Sequence, residues 1–174
     1  GKGANTNARL FMGVRKSPVA LLPGTPEVEV VPELGLEPED LVLTRTHGLD
    51  PMTGTDLDPV LRNLGVTTIV VTGVSVNIAV TNLVMDAVNR GYDVVVPRDA
   101  VCGIPREYAD AVIDNTIALL AAVCVGIAAV TEVAGQTDRL DVLVNNAGII
   151  GSFATPLDTG PTDFLACFGV NLLG

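Results

Sequence analysis

Residues 61–99, LRNLGVTTIVVTGVSVNIAVTNLVMDAVNRGYDVVVPRD, decide the fold of this chain. They contain an apolar segment at 66–72, a turn with a glycine at 73–75, a stretch with helical spacing, and a second apolar segment at 93–96. Gly91 is a natural end for the helix. The apolar face of that helix consists of Val76, Val80, Leu83, Val84, Ala87 and Val88. The pattern predicts one βαβ unit with two parallel strands.

The turn between the first strand and the helix is the predicted site. Backbone amides and the helix dipole meet beyond the carboxyl end of a parallel strand, and α/β proteins place ligands there. The sequence therefore predicts a ligand-binding crevice along residues 73–79. Its candidate lining residues are Gly73, Val74, Ser75, Asn77 and Ala79.

Several blocks of this region resemble a known family. LRNLGV, TGV, DAVNRGY, VVV and a following DA dipeptide resemble the isochorismatase-like hydrolases, also called the cysteine hydrolase superfamily, over about residues 3–125. Several blocks at the right spacings are more specific than one short motif. The resemblance implies a three-layer α/β fold, truncated here, with a mostly parallel sheet and helices on both faces. It also places the family's nucleophilic cysteine in the first turn of the helix, where this chain has Ala79.

A second resemblance begins at about residue 126. RLDVLVNNAGI and FGVNLLG resemble a short-chain dehydrogenase/reductase. The resemblance implies a strand at 141–145 and NAD(P) binding at Asn145, Asn146, Ala147 and Gly148. We therefore predict two parts, residues 1–125 and 126–174, packed on one sheet and joined by a helix across residues 124–128. The sequence leaves open whether the chain is natural, truncated, or artificially recombined as a chimera.

Local sequence patterns predict the remaining helices and strands. Residues 1–22 predict an irregular arm, and the segment LVLTR at 41–45 predicts a strand. Residues 57–64 predict a short helix with Thr55 or Asp56 as its N-cap, and another helix begins at Arg106 after Pro105. Residues 115–131 carry no charge but are shorter than the ~20 apolar residues of a membrane span, so they predict a buried helix and no membrane association.

Composition narrows the classes of function. The 174 residues are 48% apolar, which suits a packed core, and the net charge of −10 argues against nonspecific nucleic-acid binding. Three widely spaced cysteines match neither a disulfide framework nor a metal site. They predict a reducing, cytoplasmic location and no bound metal.

Neither family's catalytic residues are complete in this sequence. The hydrolase resemblance implies an aspartate, a lysine and a cysteine, but the only lysines are Lys2 and Lys16. The dehydrogenase resemblance implies a Tyr-x-x-x-Lys motif and a glycine-rich dinucleotide turn, which the sequence lacks. Ser75, Cys102 and His47 are the remaining catalytic candidates. Their alternative roles are a helix cap, a small buried apolar residue and an exposed loop residue.

The resulting hypothesis is a protein that is not an enzyme and needs no cofactor. We predict that it binds a protein partner or forms a homo-oligomer, because missing strands would leave the edge of the strand at 66–72 uncovered. One alternative is a residual hydrolase of small amides or enol ethers that uses Ser75 or Cys102. Another is vestigial NAD(P) binding at residues 145–148.

Overall fold

A computed structural model describes residues 6–16, 22–30, 32–45, 49–126 and 143–146. A π-helical turn, Val76–Val80, leads directly into the helix Thr81–Asn89. A 3-10 turn, Arg98–Ala100, lies between the strands Asp93–Pro97 and Val101–Cys102. Further 3-10 turns are Pro26–Val28, Pro32–Leu34 and Ile117–Leu119. In chain order the helices and strands are α1 Arg9–Lys16, α2 Leu57–Asn63, β1 Thr68–Val74, α3 Thr81–Asn89, β2 Asp93–Pro97, β3 Val101–Cys102, α4 Arg106–Asn115, β4 Ala122–Cys124 and β5 Leu143–Asn146.

The five strands form one sheet, and all the pairings between them are parallel. Val70 of β1 pairs with Val95 of β2 and also with β5, so β2 and β5 lie on opposite edges of β1. Gly73 pairs with Val101 of β3 and again with β5. Strands β2 and β3 therefore follow one another along the same edge of β1, and β4 pairs with β2.

The main core lies on one face of this sheet. Alternate residues of β1 and β2 point to each face, as the period of two in a strand requires. Val70 and Val95, each 2% exposed, belong to the opposite face, so that face is covered as well. Helices α2, α3 and α4 all pack on the main core, whose members include Ile69, Val71, Val94, Val96, Leu61, Leu83, Val84, Val112 and Ile113.

The central predictions are confirmed. The predicted strands at 66–72 and 93–96 correspond to β1 and β2, and the described part of the strand predicted at 141–145 corresponds to β5 in the same parallel sheet. The helix after β1 ends where Gly91 adopts a φ of +82°. The helices at 57–64 and from Arg106 are confirmed as α2 and α4. Thr55 supports the start of α2, since its Oγ1 accepts a hydrogen bond from the Leu57 amide at 3.2 Å.

Three local predictions are wrong. Residues 41–45 form no strand, and Leu41 and Val42 are 63% and 58% exposed. A buried helix was predicted at 115–131, but its described part, residues 115–126, contains a 3-10 turn and then β4. Strand β4 also replaces the start of the helix predicted across 124–128, whose last two residues lie outside the described ranges. The predicted irregular arm contains helix α1. At residues 122–124 the pairing of β4 with β2 decides for a strand, although the local composition suits a helix equally well.

The predicted uncovered edge of β1 is also wrong, because β5 occupies it. Four consecutive residues of β1, from Val70 to Gly73, pair with residues 143–146. An edge strand presents unpaired backbone groups that recruit other chains, and a strand paired on both edges does not. None of the helices within the described ranges is long and apolar enough to cross a membrane.

The two faces of α3 provide a test of the core. Leu83→Ala removes a fully buried side chain and should lower the free energy of unfolding by about 2–5 kcal/mol through the lost burial and the cavity. Met85→Ala, on the same helix but 43% exposed, should change it by less than about 0.5 kcal/mol. Urea unfolding measures both, and equal losses would show that α3 does not pack as described.

Candidate functional site

The turn after β1 is held by its own backbone. Gly73 has a φ of +109°, which other residues rarely adopt, so glycine suits the end of this strand. The peptide bond between Val74 and Ser75 is cis. The Ser75 carbonyl then accepts hydrogen bonds from the amides of Ile78 and Val80 at 3.2 and 3.1 Å. The predicted site therefore lies where the strand passes into a π-helical turn at the carboxyl end of the sheet.

Ser75 occupies the N-cap position of this turn without acting as a side-chain cap. Its backbone is extended, with φ −97° and ψ 138°, and its hydroxyl makes no capping hydrogen bond. The alternative role of a helix cap is therefore wrong as far as the side chain is concerned. The half-buried hydroxyl remains at the entrance to the helix.

Ala79 lies within the same turn and is 6% exposed. It is buried, but it is not a member of the main core cluster that includes its neighbour Val80. The resemblance assigns the family's cysteine to this position. A methyl group supplies neither a nucleophile nor a proton carrier, so the first turn of this helix has no thiol chemistry of its own.

Asn77 connects the turn to the loop after β3. Its Nδ2 donates to the Ile104 carbonyl at 3.1 Å, and its Oδ1 is buried without a hydrogen-bond partner among the described residues. A Cβ at Gly103 would meet that Oδ1 at 2.7 Å and a methyl group of Val76 at 2.9 Å. Only glycine allows the loop to approach so closely. The sequence analysis named Asn77 but missed Gly103, because local spacing does not reveal a contact between distant segments.

The two cysteines in the described part of the chain differ in position. Cys102 pairs through its backbone with Val74 at the end of β1, so its half-buried thiol lies beside the candidate turn. Cys124 ends β4, where burial and, to a smaller extent, the Asp99 carboxylate raise the pKa of its thiol. Because the thiolate is the reactive form, this raised pKa makes Cys124 a weaker nucleophile than a free cysteine at neutral pH.

The remaining candidates are placed only in part. Asn145 and Asn146 pair with Thr72 and Gly73, so β5 ends at the same end of the sheet as the turn. His47, Ala147 and Gly148 lie outside the described residues. Within the described ranges, no group of three or more His, Cys, Asp or Glu residues is arranged to hold a metal ion.

An open groove lies beside the turn. Its volume is about 340 Å³. The lining residues come from the π-helical turn and α3, and they are Ile78, Thr81, Asn82, Met85, Asp86 and Asn89. Apart from Asp86 they are uncharged, so the groove has few groups with which to perform acid–base chemistry.

Comparisons with known proteins agree on one family. Residues 6–127 match the family model described as "Isochorismatase domain". The uncharacterized isochorismatase family protein YwoC of Bacillus subtilis is 35% identical over 79 residues, which are 45% of this chain and 41% of that protein. The match to the family model ends near the predicted boundary at 125, and the dehydrogenase-like and chimeric character of the remaining residues stays a prediction.

Two solved structures share the fold. An isochorismatase family protein from Desulfovibrio vulgaris has a TM-score of 0.63 at 27% identity, with 72% of this chain and 65% of that chain covered. An isochorismatase family protein from Burkholderia thailandensis has a TM-score of 0.57 at 35% identity, with coverage of 70% and 64%. The chain therefore spans less than two thirds of the length of each of these relatives.

The close approach of the loop to the turn gives a prediction. Gly103→Ala should lower the free energy of unfolding by about 1–3 kcal/mol, because the new methyl group overlaps Asn77 and Val76. In an Asn77→Ala background the loss should be smaller, since the tightest overlap is removed. A double-mutant cycle by urea unfolding measures this coupling. Additive losses would show that the two residues do not touch.

Proposed function

Because this chain belongs to the isochorismatase family, we propose that it keeps the hydrolase fold without the family's thiol chemistry and acts by binding. The observation that carries this proposal is Ala79, a buried methyl group in the first helical turn after β1. Without a nucleophile at this position the acyl-enzyme route to amide hydrolysis has no first step. The chain spans only 41% of the relative from Bacillus subtilis. What the whole protein does is therefore part of this proposal.

The nearby candidates do not restore the missing step. A serine or cysteine nucleophile needs a base within about 2.6–3.2 Å of its proton. Within the described part of the chain, neither the Ser75 hydroxyl nor the Cys102 thiol has a side-chain hydrogen bond. The carboxylates and arginines of α4 and of the turn before β3 pair with one another at the surface instead.

The binding partner in this proposal is a protein or a second copy of the chain. The edge of β1 no longer supports such binding, because β5 covers it. An exposed apolar run supports it instead, since Leu41, Val42 and Leu43 are 63%, 58% and 40% exposed. Neighbouring exposed apolar side chains are typical of surfaces that bind other proteins. A cytoplasmic location belongs to the same proposal.

Hydrolysis is the second candidate function, and the position of Cys102 beside Val74 favours it. The family's fold is that of hydrolases. The two substrate classes, amides and enol ethers, need different catalytic groups. The acyl-enzyme route for an amide needs a nucleophilic side chain. An enol ether can instead be cleaved by proton transfer to carbon, addition of water to the resulting oxocarbenium ion, and loss of the alcohol from the hemiketal with a second proton transfer. Activity on enol ethers alone would therefore be compatible with Ala79. NAD(P) binding beside Gly73, where β5 ends, is the third candidate.

Replacing Ala79 tests the proposal directly. In Ala79→Cys, with Cys102, Cys124 and Cys167 changed to Ser, the new thiol should titrate below the ~8.5 of a free cysteine because it lies near a helix N-terminus. Hydrolysis of small amides should still be absent. The measurements are thiolate absorbance against pH and a turnover screen of amides and enol ethers, with and without NAD(P).

Ala87→Cys in the same background is the matched control. Ala87 is also buried, but it lies near the C-terminal end of α3, where the helix dipole disfavours the thiolate. Its thiol should titrate above that of Ala79→Cys. Amidase activity in the wild-type chain would contradict the proposal. Activity gained by Ala79→Cys would show that the site lacks only the thiol, and equal titration of the two thiols would contradict the described geometry of the turn.

Binding through the apolar run predicts concentration-dependent association. Wild-type protein should associate at micromolar concentration, and Leu41→Lys should weaken that association about tenfold by placing a charge in the contact. Leu64→Lys, at a site 44% exposed and outside the run, should have no effect. Sedimentation equilibrium measures all three proteins. Equal weakening by both substitutions would remove the argument for this surface.

A further inference from the structure

Helix α1 presents a basic stripe on its outward face. Arg9, Met12 and Lys16 are spaced i, i+3 and i+7, so they lie on one side of the helix. Met12 is 45% exposed, and both cations are exposed as well. Among the described residues neither cation has an ion pair, and none of the described side chains of α1 belongs to the main core. The outward face of α1 is therefore a methionine between two cations.

A surface of opposite charge lies at residues 36–43, LEPEDLVL, which we call the acidic segment. It begins with a turn, because the Asp40 amide donates to the Glu37 carbonyl at 3.0 Å and the Glu37 amide donates to Asp40 Oδ2 at 2.8 Å. Glu39 lies within this turn, and all three acidic residues are exposed. Leu36 is 52% exposed, and the apolar run follows the turn at once. The acidic segment thus combines carboxylates with exposed apolar side chains.

The sequence places its basic and acidic residues in separate stretches of this part of the chain. Residues 1–16 contain no acidic residue and four basic ones, which are Lys2, Arg9, Arg15 and Lys16. Residues 26–40 contain no basic residue and six acidic ones, which are Glu27, Glu29, Glu33, Glu37, Glu39 and Asp40. Each stretch repels a copy of itself and attracts the other stretch. The charge pattern therefore favours contact between the two stretches.

We propose that the acidic segment of one copy binds helix α1 of a second copy. Met12 would cover part of the apolar run, and Arg9 and Lys16 would face the carboxylates of the turn. Both surfaces stay exposed in the single chain, so they do not bury one another within one copy. A two-fold arrangement of two copies makes the contact twice and leaves neither surface free. This inference rests on the binding part of the proposed function, since it names the partner of the apolar run.

Exchanging the charges tests this pairing. Glu37→Lys/Glu39→Lys makes the acidic segment basic, and Arg9→Glu/Lys16→Glu makes the helix acidic. Each variant alone should self-associate about tenfold more weakly than the wild type, because like charges then face each other. An equimolar mixture of the two variants should regain association, because each supplies the surface that the other needs. Sedimentation equilibrium of each variant and of the mixture measures this.

A charge-matched control and a salt series accompany the exchange. Asp93→Lys/Glu107→Lys makes the same change of charge at two exposed positions on β2 and α4, and it should associate as the wild type does. For the wild type, raising NaCl from about 0.05 M to about 0.5 M should weaken association about tenfold, since salt screens exposed charges. The salt series uses no variant. It therefore decides the matter even if a double variant does not fold.

The outcomes distinguish this inference from the proposed function. A wild-type chain that stays monomeric, a mixture that does not regain association, or association that high salt leaves unchanged would each overturn the pairing. Equal weakening by the control variant would do the same. None of these results contradicts the proposed function, because binding to a different protein would still satisfy it. Amidase activity of the wild-type chain together with regained association in the mixture would contradict the proposed function and support the pairing.

Discussion

Strand β1 is paired on both edges and covered on both faces, and the rest of the molecule depends on this arrangement. Its backbone bonds to β2 and β3 on one edge and to β5 on the other. Ile69 and Val71 face the main core, and Val70 is buried on the opposite side. A strand enclosed in this way has no freedom to slip by one residue, because slippage would exchange its two faces. The end of β1, and with it the candidate turn, is therefore fixed in position.

Helix α3 follows from the position of β1. The chain leaves the sheet at Ser75 and returns through Gly91 to β2, which pairs with β1 in parallel. Leu83 and Val84 fill the space above the sheet, and α2 and α4 pack on the same core. Tyr92 joins α2 to the start of β2, since its hydroxyl donates to Asp58 at 2.8 Å. Burial and this bond to Asp58 raise the pKa of Tyr92 to about 12, so the phenol stays protonated at any physiological pH.

The predictable parts of the fold are those that local sequence determines. Helical spacing from Val76 onwards and the apolar strands around it are properties of neighbouring residues, and they predicted the βαβ unit. Residues 41–45 have a strand-like composition but pair with none of the described strands, whereas residues 122–124 form a strand because they pair with the edge of β2. The contact between Asn77 and Gly103 was equally hidden, since it joins segments on different elements. Local patterns do not encode such long-range pairings.

The contacts that hold the turn do not involve the side chain at position 79, which explains how a family member can have alanine there. The turn is held by the Ser75 carbonyl, by the backbone of Gly73 and by the bond from Asn77 to the Ile104 carbonyl. None of these contacts uses the side chain at position 79, so replacing a thiol there removes a reactive group without removing a structural bond. Ala79 is also outside the main core cluster, so a smaller side chain leaves the packing of that core unchanged. The described contacts that hold the turn are therefore as compatible with alanine at position 79 as with cysteine.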